Sequence, residues 1–169
     1  MDPERELLTH FLAAIAYRTQ KALRGAPPHY PGFAAGHQAR TPVQLLRHMT
    51  SVLGYARTLC LGGSYPIEPE PLAAFDDEIA RFHEMVKALG DLLTAGTPTR
   101  DISHRQLLQG PFSDVMTHVG QLALLRRLAD APVAPENFVF ADMRSDRLGS
   151  DQPMPARPDA RWPERPADE

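Results

Sequence analysis

Three side chains in this sequence have the types and spacing of a metal-binding set: His48, Asp114 and His118. Asp114 and His118 are four residues apart in a segment with helical apolar periodicity, so their side chains share one helix face. His48 lies on the flank of another such segment, and we expect all three to point towards the interior. Two neutral imidazoles and one carboxylate suit Zn²⁺ or Ni²⁺, with Fe²⁺ as a further option, and leave coordination positions open.

The same three residues also have a purely structural interpretation, because an Asp-x-x-x-His pair occurs by chance in many helices. In that interpretation Asp114 caps its helix, His118 is a core histidine with satisfied hydrogen bonds, and His48 is a solvated residue on a helix flank. Spacing alone favours this second interpretation.

The elements that must position these residues are amphipathic helices. Apolar residues recur at steps of three and four in four segments, and no window alternates with the period of two typical of a strand. Thr41-Pro42 marks a helix start, Gly96 and Pro98 mark an end, and the apolar stripe of the third segment begins at Leu72. The predicted helices cover residues 3–25, 41–62, 71–96 and 111–131.

The predicted fold class is all-α, a four-helix bundle with an irregular, proline-rich C-terminal extension. We expect the metal-binding bundle to span residues 1–132 and an extended arm to span residues 133–169. The last nineteen residues contain no Val, Ile, Leu or Phe, so we expect partial disorder towards the end. The first and third connections are longer than an up-down bundle needs, which indicates crossovers or loops that cover a site. The arm is expected to pack through its earlier apolar residues, Phe138, Phe140, Met143 and Leu148.

Two segments resemble the signature helices of the DinB/YfiT-like superfamily of metal-binding four-helix bundles. They read TPVQLLRHMTSVLGYA and GPFSDVMTHVGQLALLRRLADAPV. The family has a histidine in the second helix and a ligand pair four apart in the final helix, the second closely followed by Gly-Gln. His48 falls on the first position, and His118, closely followed by Gly120-Gln121, falls on the last. Asp114 falls where most members have histidine, and an acidic ligand there resembles the mycothiol-dependent maleylpyruvate isomerase branch, which uses Glu.

The resemblance implies a metal-dependent enzyme that acts on a small-molecule substrate. Its divalent ion, held by His48, Asp114 and His118, would activate a low-molecular-weight thiol such as bacillithiol or mycothiol for transfer or isomerisation. Activation of water for hydrolysis is a chemically similar variant.

The alternative is a non-catalytic, stress-related bundle in which the metal is structural or absent and dimerisation matters most. A structural site is normally closed by a fourth protein ligand. We expect a homodimer. The possible fourth ligands are His10, His29, His37 and His83.

Other polar residues near these segments have local interpretations. Gln121, one turn beyond His118, either orients a ligand or water or caps a backbone group. Arg126 and Arg127 are expected to complement the negative end of the last helix. Ser103 and His104 suggest a hydrogen-bonding pair.

Composition limits the partners and the compartment. The 18 Lys+Arg and 21 Asp+Glu residues give a net charge of −3, and no basic stripe is present, so we expect no nucleic acid partner. Polar residues interrupt the apolar stretches before the ~20 residues of a spanning helix, so we expect no membrane insertion. A single cysteine, Cys60, and a charged start without signal-peptide order fit a cytoplasmic location.

Overall fold

Helices are the main regular structure in this protein. The computed structural model describes residues 2–159 and 161, and no β-strand occurs among them, so the all-α prediction is confirmed. In those ranges no helix combines the length and the apolar character that crossing a membrane requires. The helices are Pro3–Leu23 (α1), Pro42–Leu61 (α2), Phe75–Thr94 (α3), His104–Leu107 (α4) and Ser113–Leu128 (α5).

The ends of α2 follow the capping chemistry that the sequence indicates. The Gln44 N–H donates to the Thr41 hydroxyl at 3.4 Å, and the Thr41 N–H donates to the Gln44 side-chain oxygen at 2.9 Å. Pro42 occupies the first turn, where its missing N–H removes no helical hydrogen bond. Gly62 follows the last turn with a φ of 78°, which glycine adopts without strain. These two ends fix the helix that carries His48.

Helix α3 begins at Phe75 and not near Pro71, where the apolar pattern placed its start. Leu72, predicted to open the apolar stripe, is instead 39% exposed. Its backbone N–H donates to the Glu78 carboxylate at 3.0 Å, so this segment folds back against the helix instead of joining it. The spacing of apolar residues does not reveal this hydrogen bond, because its acceptor is a charged side chain within α3.

A π-helical turn, Leu108–Phe112, joins α4 to α5. The sequence predicts a break and restart at Gly110-Pro111, and the structure confirms it as a kink: Gly110 has non-helical dihedral angles, φ −89° and ψ −107°. The Ser113 hydroxyl donates to the Leu108 carbonyl at 2.7 Å and so satisfies one acceptor in the distorted turn. Such turns often lie at functional sites, and this one places Asp114 in the first turn of α5.

The four long helices enclose one apolar core. Helix α1 packs mainly against α3 and α5, and α2 packs mainly against the same two helices. The first and third connections therefore cross between helices on opposite sides of the core. The contact between α2 and α5 brings His48 to the helix that carries Asp114 and His118. Fully buried side chains from each long helix fill the centre, among them Leu12, Leu46, Phe82 and Leu122.

The arm that follows α5 lies along α1 and α3. The Tyr17 hydroxyl donates to the Glu136 carboxylate at 2.8 Å, and the Arg18 guanidinium lies 3.9 Å from the centre of the Phe138 ring. Leu148 is buried, and its side chain lies against Gly90 of α3. These contacts attach the arm to two of the long helices.

The predicted anchors of the arm do not all pack against the helices. Phe138 and Met143 are half-buried, whereas Phe140 is 49% exposed and stacks only with Arg157, at 4.2 Å, among its ring contacts in the described chain. Contacts within the arm continue to Asp159, whose N–H donates to a backbone carbonyl at 2.8 Å. The end that we expected to be partly disordered, residues 160 and 162–169, lies outside the described residues.

Candidate metal centre

The three residues singled out in the sequence lie together between α2 and α5. His48 comes from α2, and Asp114 and His118 come from the first two turns of α5. One potential ligand atom from each side chain lies within 4.8 Å of the other two. Two rigid helices thus bring two imidazoles and one carboxylate to one place, and the α2–α5 packing contact sets their spacing.

The helical spacing of Asp114 and His118 gives the separation that a metal ion needs. The Nε2 atom of His118 lies 3.5 Å from Oδ1 of Asp114. Bonds of about 2.0–2.2 Å from a tetrahedral ion would place two ligand atoms roughly 3.3–3.6 Å apart. The ring of His48 closes the group from α2, with its centre 4.9 Å from that of His118 and a 73° angle between the ring planes. The Asp114–His118 pair therefore has the spacing of two ligands of one ion, and the donor types of the whole group, whose atoms lie within 4.8 Å of one another, suit a divalent ion.

Gln121 fixes the orientation of the His118 ring. The Nδ1 atom of His118 lies 2.9 Å from the side-chain oxygen of Gln121, which can only accept a hydrogen bond. The neutral ring therefore carries its proton on Nδ1 and presents the lone pair of Nε2 towards Asp114. A lone pair facing a carboxylate oxygen is repulsive, and either a proton on Nε2 or a cation between the two atoms removes this repulsion. Of the two roles expected for Gln121, this geometry supports the orientation of a ligand.

The three side chains lie on the flank of the helix pair and do not point into the core, which corrects the sequence interpretation. The Asp114 side chain is 50% exposed and that of His118 is 12% exposed, while His48 is half-buried. The buried stripe of α5 passes through Val115 and Val119, the residues next to Asp114 and His118. One residue corresponds to about 100° of helix rotation, so the neighbours of a core stripe point towards its edge. A site on this edge is open to small molecules.

His48 is held in the neutral form that binds metals. Burial lowers the pKa of His48 below its usual value, the charge of Arg40 and the nearby His118 lower it further, and Asp114 opposes them. A histidine with a lowered pKa is uncharged at neutral pH, and its nitrogen lone pair is free to coordinate an ion.

Two pockets open beside His48, and both are also lined by Ile67. The first, of about 490 Å³, lies between the start of α2 and the segment before α3 and has Arg40 and Arg47 on its wall. The second, of about 640 Å³, lies between α2 and the π-helical turn and includes Asp114. Both volumes fall within the range of small-molecule sites.

A buried carboxylate supports the first pocket, and the sequence analysis missed it. Glu78 is fully buried, and its Oε1 accepts hydrogen bonds from Arg47 at 2.9 Å and from the Leu72 N–H at 3.0 Å. Its other oxygen forms an ion pair with Arg81. Burial raises the pKa of Glu78, but the Leu72 N–H and the two arginines outweigh that effect and lower it.

The sequence did contain a signal for Glu78. It lies three residues after Phe75 and four before Phe82, on the apolar stripe of α3. A carboxylate at such a position must be paired, because burying an isolated charge is costly. Its partners, however, come from α2 and from the loop before α3, and no local pattern identifies them.

None of the possible fourth ligands joins the group. His83 is buried, with Nδ1 3.1 Å from a backbone carbonyl of the arm, and His29 lies 3.1 Å from a carbonyl at the end of α5. His10 and His37 are exposed. Among the described residues, the group that can hold an ion thus consists of two histidines and one aspartate.

Two other local expectations are corrected by the structure. Ser103 and His104 do not bond to each other: the Ser103 hydroxyl accepts the Gln106 N–H at 3.2 Å, and His104 Nδ1 lies 3.0 Å from a Glu4 carboxylate oxygen. The serine therefore caps α4, and the histidine links α4 to the start of α1. No nucleophilic arrangement results.

Arg126 is buried and binds the end of a different helix from the one predicted. Its guanidinium donates to the carbonyls of Ala22 and Arg24 at 3.1 Å and of Gly25 at 3.3 Å, and its Nε donates to Ala131 at 2.7 Å. It therefore satisfies the carbonyls at the C-terminal end of α1 as well as one just after α5. This role is structural and lies away from the metal-binding group.

Comparisons with known proteins identify no relative. No protein-family model, no curated protein and no solved structure matches this chain.

Proposed function

We propose that this protein is a DinB/YfiT-like four-helix bundle that binds a divalent metal ion through His48, Asp114 and His118. We further propose that it uses the ion to activate a low-molecular-weight thiol, or water, for reaction with a small-molecule substrate. The observation that carries the proposal is the convergence of these three side chains, from two helices far apart in sequence, within 4.8 Å.

Three protein ligands support a catalytic more than a structural role. A structural zinc site is normally closed by four protein ligands, whereas a catalytic site keeps a position for water or substrate. When bound, a divalent ion at such a position lowers the pKa of a thiol or water so that its anion forms near neutral pH. The two pockets beside His48 supply the space for the reactants.

The chain's own residues have distinct parts in this proposal. Gln121 holds the His118 ring so that Nε2, the atom that would bind the ion, faces Asp114, and the lowered pKa of His48 keeps its imidazole neutral. Asp114 lowers the net charge of the site by one unit compared with three histidines. This charge makes the ion a weaker Lewis acid and shifts the preference somewhat towards harder metals among Zn²⁺, Ni²⁺ and Fe²⁺.

Metal content tests the proposal directly. Protein purified without a histidine tag should contain stoichiometric metal by elemental analysis, and His48→Ala and His118→Ala should lose it. His10→Ala removes an exposed histidine outside the group and should retain the metal. Absence of bound metal from the wild type after equilibration with Zn²⁺ or Ni²⁺ would contradict the proposal.

The open coordination position needs a separate measurement. In the Co²⁺-substituted protein, a small thiol should change the visible spectrum as sulfur enters the coordination sphere. If the metal binds but neither thiols nor anions that displace bound water change the Co²⁺ spectrum, the ion has no open coordination position. The non-catalytic alternative is then the better explanation.

A further inference from the structure

Arg40 is a cation on the wall of the first pocket without a partner among the described residues. It lines the same 490 Å³ pocket as His48, and it forms no hydrogen bond or ion pair within the part of the chain that the structure describes. Arg47, on the same wall, is instead held by the buried carboxylate of Glu78. One guanidinium is therefore engaged and the other is available to a ligand.

The remaining polar groups of the pocket limit the charge that it accepts. Gln38 and Gln44 offer amide groups, whereas Glu68 and Glu70 place two exposed carboxylates in the same lining. A phosphate dianion would be attracted by Arg40 but repelled by both glutamates. A planar carboxylate with one charge matches the two-donor edge of a guanidinium and meets less repulsion.

We propose that this pocket binds a singly charged carboxylate group of a reactant positioned beside the metal ion, with Arg40 as the residue that determines this specificity. The proposal rests on the proposed function, because the metal site supplies the reacting group next to the pocket. His48, which belongs to both the metal site and the pocket wall, places the two adjacent. The 490 Å³ volume is within the range of small-molecule sites.

A matched pair of thiols tests the proposal in the Co²⁺-substituted protein. The probes are 3-mercaptopropionate and its neutral analogue 3-mercaptopropionamide, whose binding is followed by the sulfur-to-cobalt absorption. The ratio of their affinities should favour the carboxylate more in the wild type than in Arg40→Gln, by up to about fivefold, as expected for a partly exposed ion pair. Arg57→Gln removes an exposed charge from α2, outside the pocket, and should leave the wild-type ratio unchanged.

A second measurement separates this inference from the metal hypothesis. In metal-free protein, propionate should shift the Arg40 Nε–H resonance in a ¹H–¹⁵N spectrum, and propionamide should not. If metal binds but the affinity ratio of the two thiols is the same in Arg40→Gln as in the wild type, the proposal that Arg40 binds a carboxylate is wrong. The proposed function is not affected by that result. If no metal binds, the proposed function fails, and the propionate response decides on the pocket: a shift supports it, and no shift overturns it.

Discussion

The Nδ1 atom of His118 lies 2.9 Å from the side-chain oxygen of Gln121, three residues further along α5. This hydrogen bond connects a proposed metal ligand to a side chain that does not itself belong to the metal-binding group. It keeps the imidazole in one tautomer and one orientation, which is how residues behind a ligand usually influence metal affinity.

Replacement of Gln121 by alanine should weaken metal binding about ten- to hundredfold, because the His118 ring loses the acceptor that fixes its proton on Nδ1. Competition with a chromophoric chelator measures the affinity. Gln121→Glu retains an acceptor at the same distance and should bind the metal at least as tightly as the alanine variant. Equal affinities for wild type and Gln121→Ala would show that the hydrogen bond has no part in binding.

Replacement of Glu78 by glutamine should lower the free energy of unfolding by about 2–3 kcal/mol, since Arg47 and Arg81 would lose the charge that compensates them. Denaturation with urea measures the loss. Glu84→Gln changes an exposed carboxylate on the same helix and should cost less than about 0.5 kcal/mol. Similar decreases in unfolding free energy in both variants would show that the buried ion pairs of Glu78 do not stabilise the fold.

The same carboxylate predicts a pH dependence. The pKa of Glu78 is lower in the folded protein than its usual value, so the folded state favours its charged form. Its contribution is complete above the unfolded pKa of about 4.3 and decreases as the pH falls towards the folded pKa. The stability difference between wild type and Glu78→Gln should therefore narrow in urea titrations below about pH 4.5. A difference that stays constant down to pH 3 would argue against the lowered pKa.

Two glycines on helices offer a test of how the arm packs. A Cβ added at Gly90 would overlap the Leu148 side chain, whereas one added at Gly120 would meet no neighbouring atom. Gly90→Ala should lower the unfolding free energy by about 1–3 kcal/mol and make the arm more sensitive to limited proteolysis. Gly120→Ala should raise it by up to about 1 kcal/mol, because alanine is the better helix former. Equal effects in both variants would mean that Leu148 moves aside without cost.

Arg126→Lys should lower the unfolding free energy by about 2 kcal/mol. A single ammonium group cannot replace a planar guanidinium that donates to three carbonyls at the end of α1 and to one just after α5. Thermal and urea denaturation measure the change, with Arg57→Lys on an exposed position of α2 as the control. An unfolding free energy of Arg126→Lys equal to that of the wild type would show that a positive charge satisfies these carbonyls without the planar guanidinium.

Much of the helical content follows from local sequence, and the differences have identifiable causes. Capping at Thr41 and glycine at Gly62 predict α2 to within a residue or two. The late start of α3 depends on a hydrogen bond from Leu72 to Glu78. The kink at Gly110 follows from the Gly110-Pro111 pair, whereas the π-helical turn around it has no simple sequence signature.

The sequence by itself determined that Asp114 and His118 share a helix face, because a spacing of four residues is sufficient for that on any α-helix. It also marked His48 through the resemblance of its segment to a known signature. Only the tertiary structure decided that His48 lies beside them, that the group is on an open flank and not in the core, and that Gln121 orients His118. The physical reason is the sequence separation of the interactions. Backbone geometry alone fixes which residues are neighbours within a helix, whereas the packing of α2 against α5 and the direction of each side chain depend on the whole core.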